Sequence, residues 1–329
     1  MRRFISQWLD DYSLPLLKAA YPGWQQRLAP YRPVGVCRIS GSGNGVAPPD
    51  MTREAEPSWR GFEVERYRFA SPAISDYPEN RFVCGRLLYA GRRAPWVVVV
   101  PGYATGAMPP HSYGLFQSLQ GLALLRRGLN VALIDLPYHM TRTPHGFFSG
   151  ERFFTPDLAS IAEAIEQSLT DLISLIRWLQ ATFASPVALW GTSLGGCVSA
   201  LAATQLPELA AVGLMEPLNN PGDVIATLPA GWHIRHILDL AGLHADDLKA
   251  MLSPVAPSSY RPALHPSRIL IATPRWDHVV AARFQDGLWQ AWGKPQRIVL
   301  AAGHITMTMN RPLNTLMADF LGHWLRLSG

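Results

Sequence analysis

The hydrophobic pattern of the chain changes period repeatedly, and each change marks an element. Residues 62–69 alternate apolar and polar side chains, the period of a half-exposed strand, and residues 81–90 form a second strand candidate. Residues 96–100 are apolar at every position, as a strand covered on both faces must be. From there strand and helix alternate. A helix over 112–128 precedes a strand over 131–134. Ile161, Ile165, Leu169, Leu172, Ile176 and Leu179 then recur at steps of four and three, on a helix that starts at the cap and first-turn pair Thr155-Pro156. An apolar run over 186–189 turns into a small-residue helix reaching Gln205, and residues 211–215 make a further buried strand. The rhythm pauses over 217–266, which carries prolines and short helical patches at 233–243 and 245–252. It resumes with a strand over 268–272, a helix over 280–292 and a strand over 297–301. A last amphipathic helix carries Leu313, Leu316, Met317, Phe320, Leu321 and Trp324.

Repeated strand-helix units predict an α/β fold with a doubly wound, mostly parallel sheet, here of eight strands. One large domain is expected over 61–329, with 217–266 inserted as a helical cap at the carboxyl edge of the sheet and 1–60 as a partly helical N-terminal extension. In that extension Ile5, Trp8, Leu9, Tyr12, Leu16 and Leu17 form a helical stripe broken by Pro15 and followed by Tyr21-Pro22-Gly23-Trp24. Two readings stand for residues 1–35: an amphipathic segment packed on the domain, or an aromatic surface for weak contact with a membrane or a second copy. The loop Gly41-Ser42-Gly43-Asn44-Gly45 lacks the Gly-Lys-Ser/Thr ending of a phosphate cradle.

Composition narrows the function classes. With 48% hydrophobic and 16% charged residues, the chain is globular and leaves little room for disorder. Its net charge of +5 comes from scattered arginines whose longest runs are pairs such as Arg126-Arg127, which argues against nucleic-acid binding. The three cysteines, Cys37, Cys84 and Cys197, are odd in number and far apart, so neither a disulfide framework nor a zinc site is suggested, and a reducing, cytoplasmic location is expected. Asp10 and Asp11 interrupt the first apolar stretch before it reaches signal-peptide length, and no apolar run is long enough to span a bilayer. His233 and His236 stand three apart without a third ligand at a fitting interval, so no metal and no cofactor is expected.

The candidate chemistry gathers where buried strands end, because open parallel sheets place functional residues just beyond those ends. After the run at 186–189 comes Trp190-Gly191-Thr192-Ser193-Leu194-Gly195-Gly196, a G-x-S-x-G turn from strand to helix in which bulky neighbours would collide. Asp277 follows the strand at 268–272, and Gly303-His304 follows the last strand. A serine hydroxyl needs an imidazole to take its proton, and the imidazole needs a carboxylate to fix its tautomer. The backbone N–H of Leu194, and as second donor that of Tyr103 after Pro101-Gly102, are candidates to hold a developing oxyanion. Glu216, which follows the strand at 211–215, is the alternative acid. His111, His139 and His145 also lie in loops after strands, with no catalytic role assigned.

On these residues the chain resembles the α/β-hydrolase superfamily over about residues 60–329. The elbow carries the resemblance together with Pro101-Gly102-Tyr103, Asp135-Leu136-Pro137-Tyr138-His139, Asp277-His278-Val279-Val280 and Ala302-Gly303-His304. Pro101 departs from the His-Gly that the superfamily often has before its oxyanion donor. The resemblance implies Ser193 as nucleophile, Asp277 as acid, His304 as base and 217–266 as cap. The expected activity is hydrolysis of a small-molecule or lipid carboxylic ester through an acyl-enzyme. The same triad serves thioesterases and acyltransferases, and a binding protein that kept the fold is the non-catalytic alternative.

Overall fold

The computed structural model describes residues 2–20, 30–33, 39, 45–107, 115–227 and 233–328. Cys37, His111, the Tyr21–Trp24 segment and residues 41–44 lie outside them, as do the side chains of Pro15, Leu16 and Leu17. Nine strands form one sheet: β1 (Met51–Trp59), β2 (Phe62–Ala70), β3 (Phe82–Tyr89), β4 (Trp96–Val100), β5 (Asn130–Ile134), β6 (Val187–Thr192), β7 (Val212–Met215), β8 (Ile269–Pro274) and β9 (Gln296–Leu300). The helices are α1 (Arg2–Ala20), α2 (Leu115–Leu125), α3 (Leu158–Phe183), α4 (Leu194–Ala203), α5 (Pro221–Thr227), α6 (His233–Leu240), α7 (Ala245–Met251), α8 (Ala282–Ala291), α9 (His304–Thr308) and α10 (Arg311–Ser328).

The strand order is β1-β2-β3-β5-β4-β6-β7-β8-β9. The first three strands and the β3–β5 junction pair antiparallel, and the rest of the sheet is parallel. The all-apolar strands are the central ones. Every residue of β4, β5, β6, β7 and β8 is buried, because helices cover both faces. On one face α3 and α4 pack Ile161, Ile165, Leu172, Val198 and Leu201 against alternate strand residues such as Val98 and Leu189. On the other, Leu124 of α2 and Leu313, Met317 and Leu321 of α10 meet Val97, Val99 and Trp190.

The sheet has nine strands where the periodicity predicts eight. The additional strand is β1, inside the stretch read as an N-terminal extension. Its sequence, Met-Thr-Arg-Glu-Ala-Glu-Pro-Ser-Trp, has no apolar alternation because it is an edge strand with no buried residue, held by the ladder to β2 and by charge pairs such as Arg66 with Glu54. The helix expected to start at Thr155-Pro156 begins at Leu158, since the side chain of Asp157 accepts the Ser160 N–H and takes the capping position.

Helix α1 also differs from its sequence pattern. Its apolar residues Phe4, Ile5, Trp8 and Tyr12 are exposed, while Ser6 and Asp10, one turn apart, are buried against the domain. Polar partners decide this orientation. No helix among the described residues is long and apolar enough to cross a membrane.

Candidate active site

The turn from β6 to α4 holds Ser193 at φ 54°, ψ −115°, a strained conformation for a residue with a side chain. Tight packing on both sides forces it. A Cβ on Gly195 would stand 2.1 Å from the Val100 carbonyl oxygen, and one on Gly191 would stand 2.3 Å from the Gly195 carbonyl oxygen. The Ser193 N–H donates to Met215 O (2.9 Å) and its carbonyl accepts from Cys197 and Leu218 (3.1 and 3.0 Å), which ties the elbow to β7 and to α4. In α2, Gln120 donates to the hydroxyl of Thr192 at 2.7 Å within the core.

Ser193, Asp277 and His304 come together. His304 Nε2 is 3.0 Å from Ser193 Oγ, and its Nδ1 is 2.8 Å from Asp277 Oδ2. With Nδ1–H donating to the carboxylate, Nε2 is left to accept the serine proton. Asp277 is held by further donors: Val279 N–H and Val280 N–H at 2.8 and 2.7 Å on Oδ1, and Gln285 Nε2 at 3.2 Å on Oδ2. All three residues are buried. Burial alone would lower the pKa of His304, but the charge and hydrogen bond of Asp277, then Glu216 and Asp10, lift it to about 9.

Glu216 lies beside this array without joining its hydrogen bonds. Its backbone is strained at φ 38°, and neither carboxylate oxygen has a partner among the described residues. Complete burial holds its carboxyl well above the usual range; His304 offsets this, and Asp277 and Asp10 reinforce it. His278, next to Asp277, turns to α1 and pairs with Asp11 (2.9 Å) and Gln7 (2.8 Å).

The loop after β4 passes over Ser193. A Cβ on Gly102 would be 3.4 Å from the Ser193 Cβ, so the Tyr103 backbone follows directly at the elbow. The N–H groups of Tyr103 and Leu194 serve no turn, loop or cap hydrogen bond among the described residues. Ala104, at φ 58°, donates its N–H to His139 Nε2 (3.1 Å), and His139 Nδ1 meets Pro137 O at 2.8 Å. Burial first of all pushes the His139 pKa down to about 4, so a neutral imidazole braces this loop, packed edge-on against the rings of Tyr103 and Phe153. Asp135 shapes the neighbouring loop by accepting the Thr141 hydroxyl at 2.7 Å. His139, a loop histidine given no role from sequence, and Gln120 thus support the site; nothing in the local sequence of Gln120 sets it apart from other helix residues.

Within the 217–266 segment Asn220 donates to Lys249 O, and Cys197 of α4 reaches Val255 O. A cavity of about 580 Å³ lies between this segment and α8, lined by Asn219, Asp223, Lys249, Ser258 and Arg283 among others. Ser193 and His304 do not line it. No group of three or more His, Cys, Asp or Glu among the described residues is arranged to hold a metal ion; the His233 side chain lies outside them.

The chain has the α/β-hydrolase fold. Residues 97–220 match the family model "Alpha/beta hydrolase domain containing 18". An uncharacterized protein of Mycobacterium tuberculosis, Rv2627c, is 28% identical over 247 residues, which is 72% of this chain and 56% of that protein. The chain therefore spans about half the length of the curated relatives it matches first. Among solved structures, the acetyl xylan esterase from Paenibacillus sp. R4 superposes with a TM-score of 0.63 at 14% identity, covering 90% of this chain and 98% of its own. Acetyl xylan esterase 1 from Thermoanaerobacterium sp. JW/SL YS485 gives 0.62 at 13% identity, covering 91% and 97%. At these identities the likeness is one of fold.

Proposed function

We propose that this chain is a serine hydrolase of carboxylic esters. The observation that carries the reading is the continuous chain from Asp277 through His304 to Ser193, with bonds of 2.8 and 3.0 Å, on a strained elbow. In this reading Ser193 Oγ attacks the ester carbonyl as His304 Nε2 takes its proton, and the imidazolium returns that proton to the departing alcohol. Water then repeats the sequence on the acyl-enzyme. Asp277 fixes the His304 tautomer and stabilises the imidazolium, while the N–H groups of Tyr103 and Leu194 receive the oxyanion. Two features favour Asp277 over Glu216 as the acid: it bonds His304 directly, and neither carboxylate oxygen of Glu216 has a hydrogen-bond partner among the described residues. In this reading the 217–266 segment serves as the cap. Acetyl esters, named for the two structural neighbours, are the first substrates to assay.

The test is a panel of nitrophenyl esters of increasing acyl length, assayed with wild type and Ser193→Ala. Hydrolysis by wild type that falls to background in the variant is expected, with unchanged circular dichroism. A wild type inert on the whole panel, or a variant as active as wild type, overturns the reading.

A further inference from the structure

The N-terminal helix α1 lies outside the elements that carry the hydrolase resemblance, yet it reaches the candidate site with one buried carboxylate. Asp10 Oδ2 accepts the backbone N–H of His304 (2.8 Å) and of His278 (3.2 Å), and Oδ1 accepts the N–H of Ile305 (3.0 Å). Asp10 is 2% exposed. One side chain thus bridges the loop that carries Asp277 and the segment that carries His304. A turn earlier, Ser6 Oγ meets Thr306 Oγ1 at 3.0 Å. The contact is built into the other side as well. A Cβ on Gly303 would be 2.7 Å from Asp10 Oδ2 and 3.0 Å from Ser6 O, so the backbone before His304 is fitted to α1 as closely as a residue without a side chain permits.

From this geometry we infer that Asp10 is a positioning residue for the catalytic histidine. It sets the register between Asp277 and His304, and it adds a negative charge facing the imidazolium that forms when Ser193 attacks. The inference rests on the triad reading above. It explains why α1 packs by its polar side and leaves Phe4, Ile5, Trp8 and Tyr12 exposed: the three backbone N–H groups at 278, 304 and 305 are better satisfied by a carboxylate than by an apolar stripe. It also assigns the first helix a function in catalysis, where the superfamily resemblance gave it none.

The groups facing His304 are Asp277 from the loop after β8, Glu216 after β7, Ser193 at the elbow and Asp10 from α1. The groups facing Asp10 include His304, Glu216 and the loop of His278, whose ring is turned outward to Asp11 and Gln7. The base works when His304 is neutral, so activity is lost as pH falls through its pKa. Since neighbouring carboxylates raise that pKa, the acid limb of kcat/KM in the wild type is expected on the alkaline side of 6.5. Removing the Asp10 charge moves the limb to lower pH.

The experiment compares full-length wild type, Asp10→Asn, Gly303→Ala and Asp11→Asn, with labelling of Ser193 by a fluorophosphonate in the wild type as a prior check. An unlabelled wild type refutes the triad reading itself, whatever Asp10 does. With labelling in place, Asp10→Asn is expected to lose about ten- to a hundredfold in kcat with KM little changed, and to shift the acid limb to lower pH. Gly303→Ala, which wedges α1 away, reproduces the kcat loss. Asp11→Asn removes only the exposed pair with His278 and keeps wild-type kinetics. Wild-type kcat and an unmoved limb in Asp10→Asn overturn the inference. So does a kcat loss with an unmoved limb, because that result makes α1 structural support and nothing more.

Discussion

Replacing Glu216 with glutamine keeps the shape of a wholly buried side chain and removes its ability to ionise. Both carboxylate oxygens lack hydrogen-bond partners among the described residues, so the substitution breaks no bond there. In the folded protein burial holds this carboxyl well above 4.5, and in the unfolded chain it titrates near 4.5. Between those two values the folded state keeps a proton that the unfolded state releases. Stability therefore declines as pH rises through the window, by about 1.4 kcal/mol for each pH unit. Glutamine abolishes that slope. Glu216→Gln is expected to gain on wild type by about 1.4 kcal/mol per unit from pH 5 upward, levelling off once the folded pKa is passed. Urea unfolding midpoints at pH 5, 6, 7 and 8, with equal m-values, measure the gain. Turnover is expected to stay within about threefold of wild type, because a group that bonds nothing in the triad contributes little to the transition state. Stability profiles that run parallel would show that Glu216 ionises alike in both states. A turnover loss of about a thousandfold or more would assign the acid role to 216 and refute the choice of Asp277.

Asp277→Asn sets an amide among the four donors that now surround the carboxylate and removes the acceptor that fixes His304. A fall in kcat of about ten-thousandfold is expected from stopped assays on a short ester, and a fall below tenfold contradicts the assignment. Arg142 and Asp171 form a fully buried ion pair at 2.8 Å that also ties the Asp135 and Asn80 carbonyls into the core. Arg142→Met leaves Asp171 buried and uncompensated, and a loss of about 3–5 kcal/mol in urea unfolding is expected.

Much of the fold was legible because its central strands are buried on both faces. Residues 96–100 could be read as a strand without knowing their neighbours, since no other element of that length needs to be apolar throughout. Strand β1 was hidden for the opposite reason: Arg53, Glu54 and Glu56 face water and charged partners, and an edge strand leaves no hydrophobic period. At the site, Ser193, Asp277 and His304 could be picked out by their positions after strands. Glu216 occupies an equivalent position, and the sequence had no means of telling a carboxylate bonded to His304 from one buried beside it. Asp10 was read only as an interruption of an apolar stretch. Its partners are backbone N–H groups nearly three hundred residues away, and a backbone donor leaves no mark on the sequence that supplies it. Gly303 is a partial signal, because its lack of a side chain makes room for α1, but that reason becomes visible only with both segments in place.

The central claim is that Ser193 is a nucleophile activated by His304. Mass spectrometry of the intact protein after exposure to a fluorophosphonate, followed by peptide mapping, tests it without assuming a substrate. A single adduct on Ser193, formed faster as pH rises through the acid limb and absent from Ser193→Ala, is the expected result. A wild type that stays unmodified, or carries the adduct on a different residue, contradicts it.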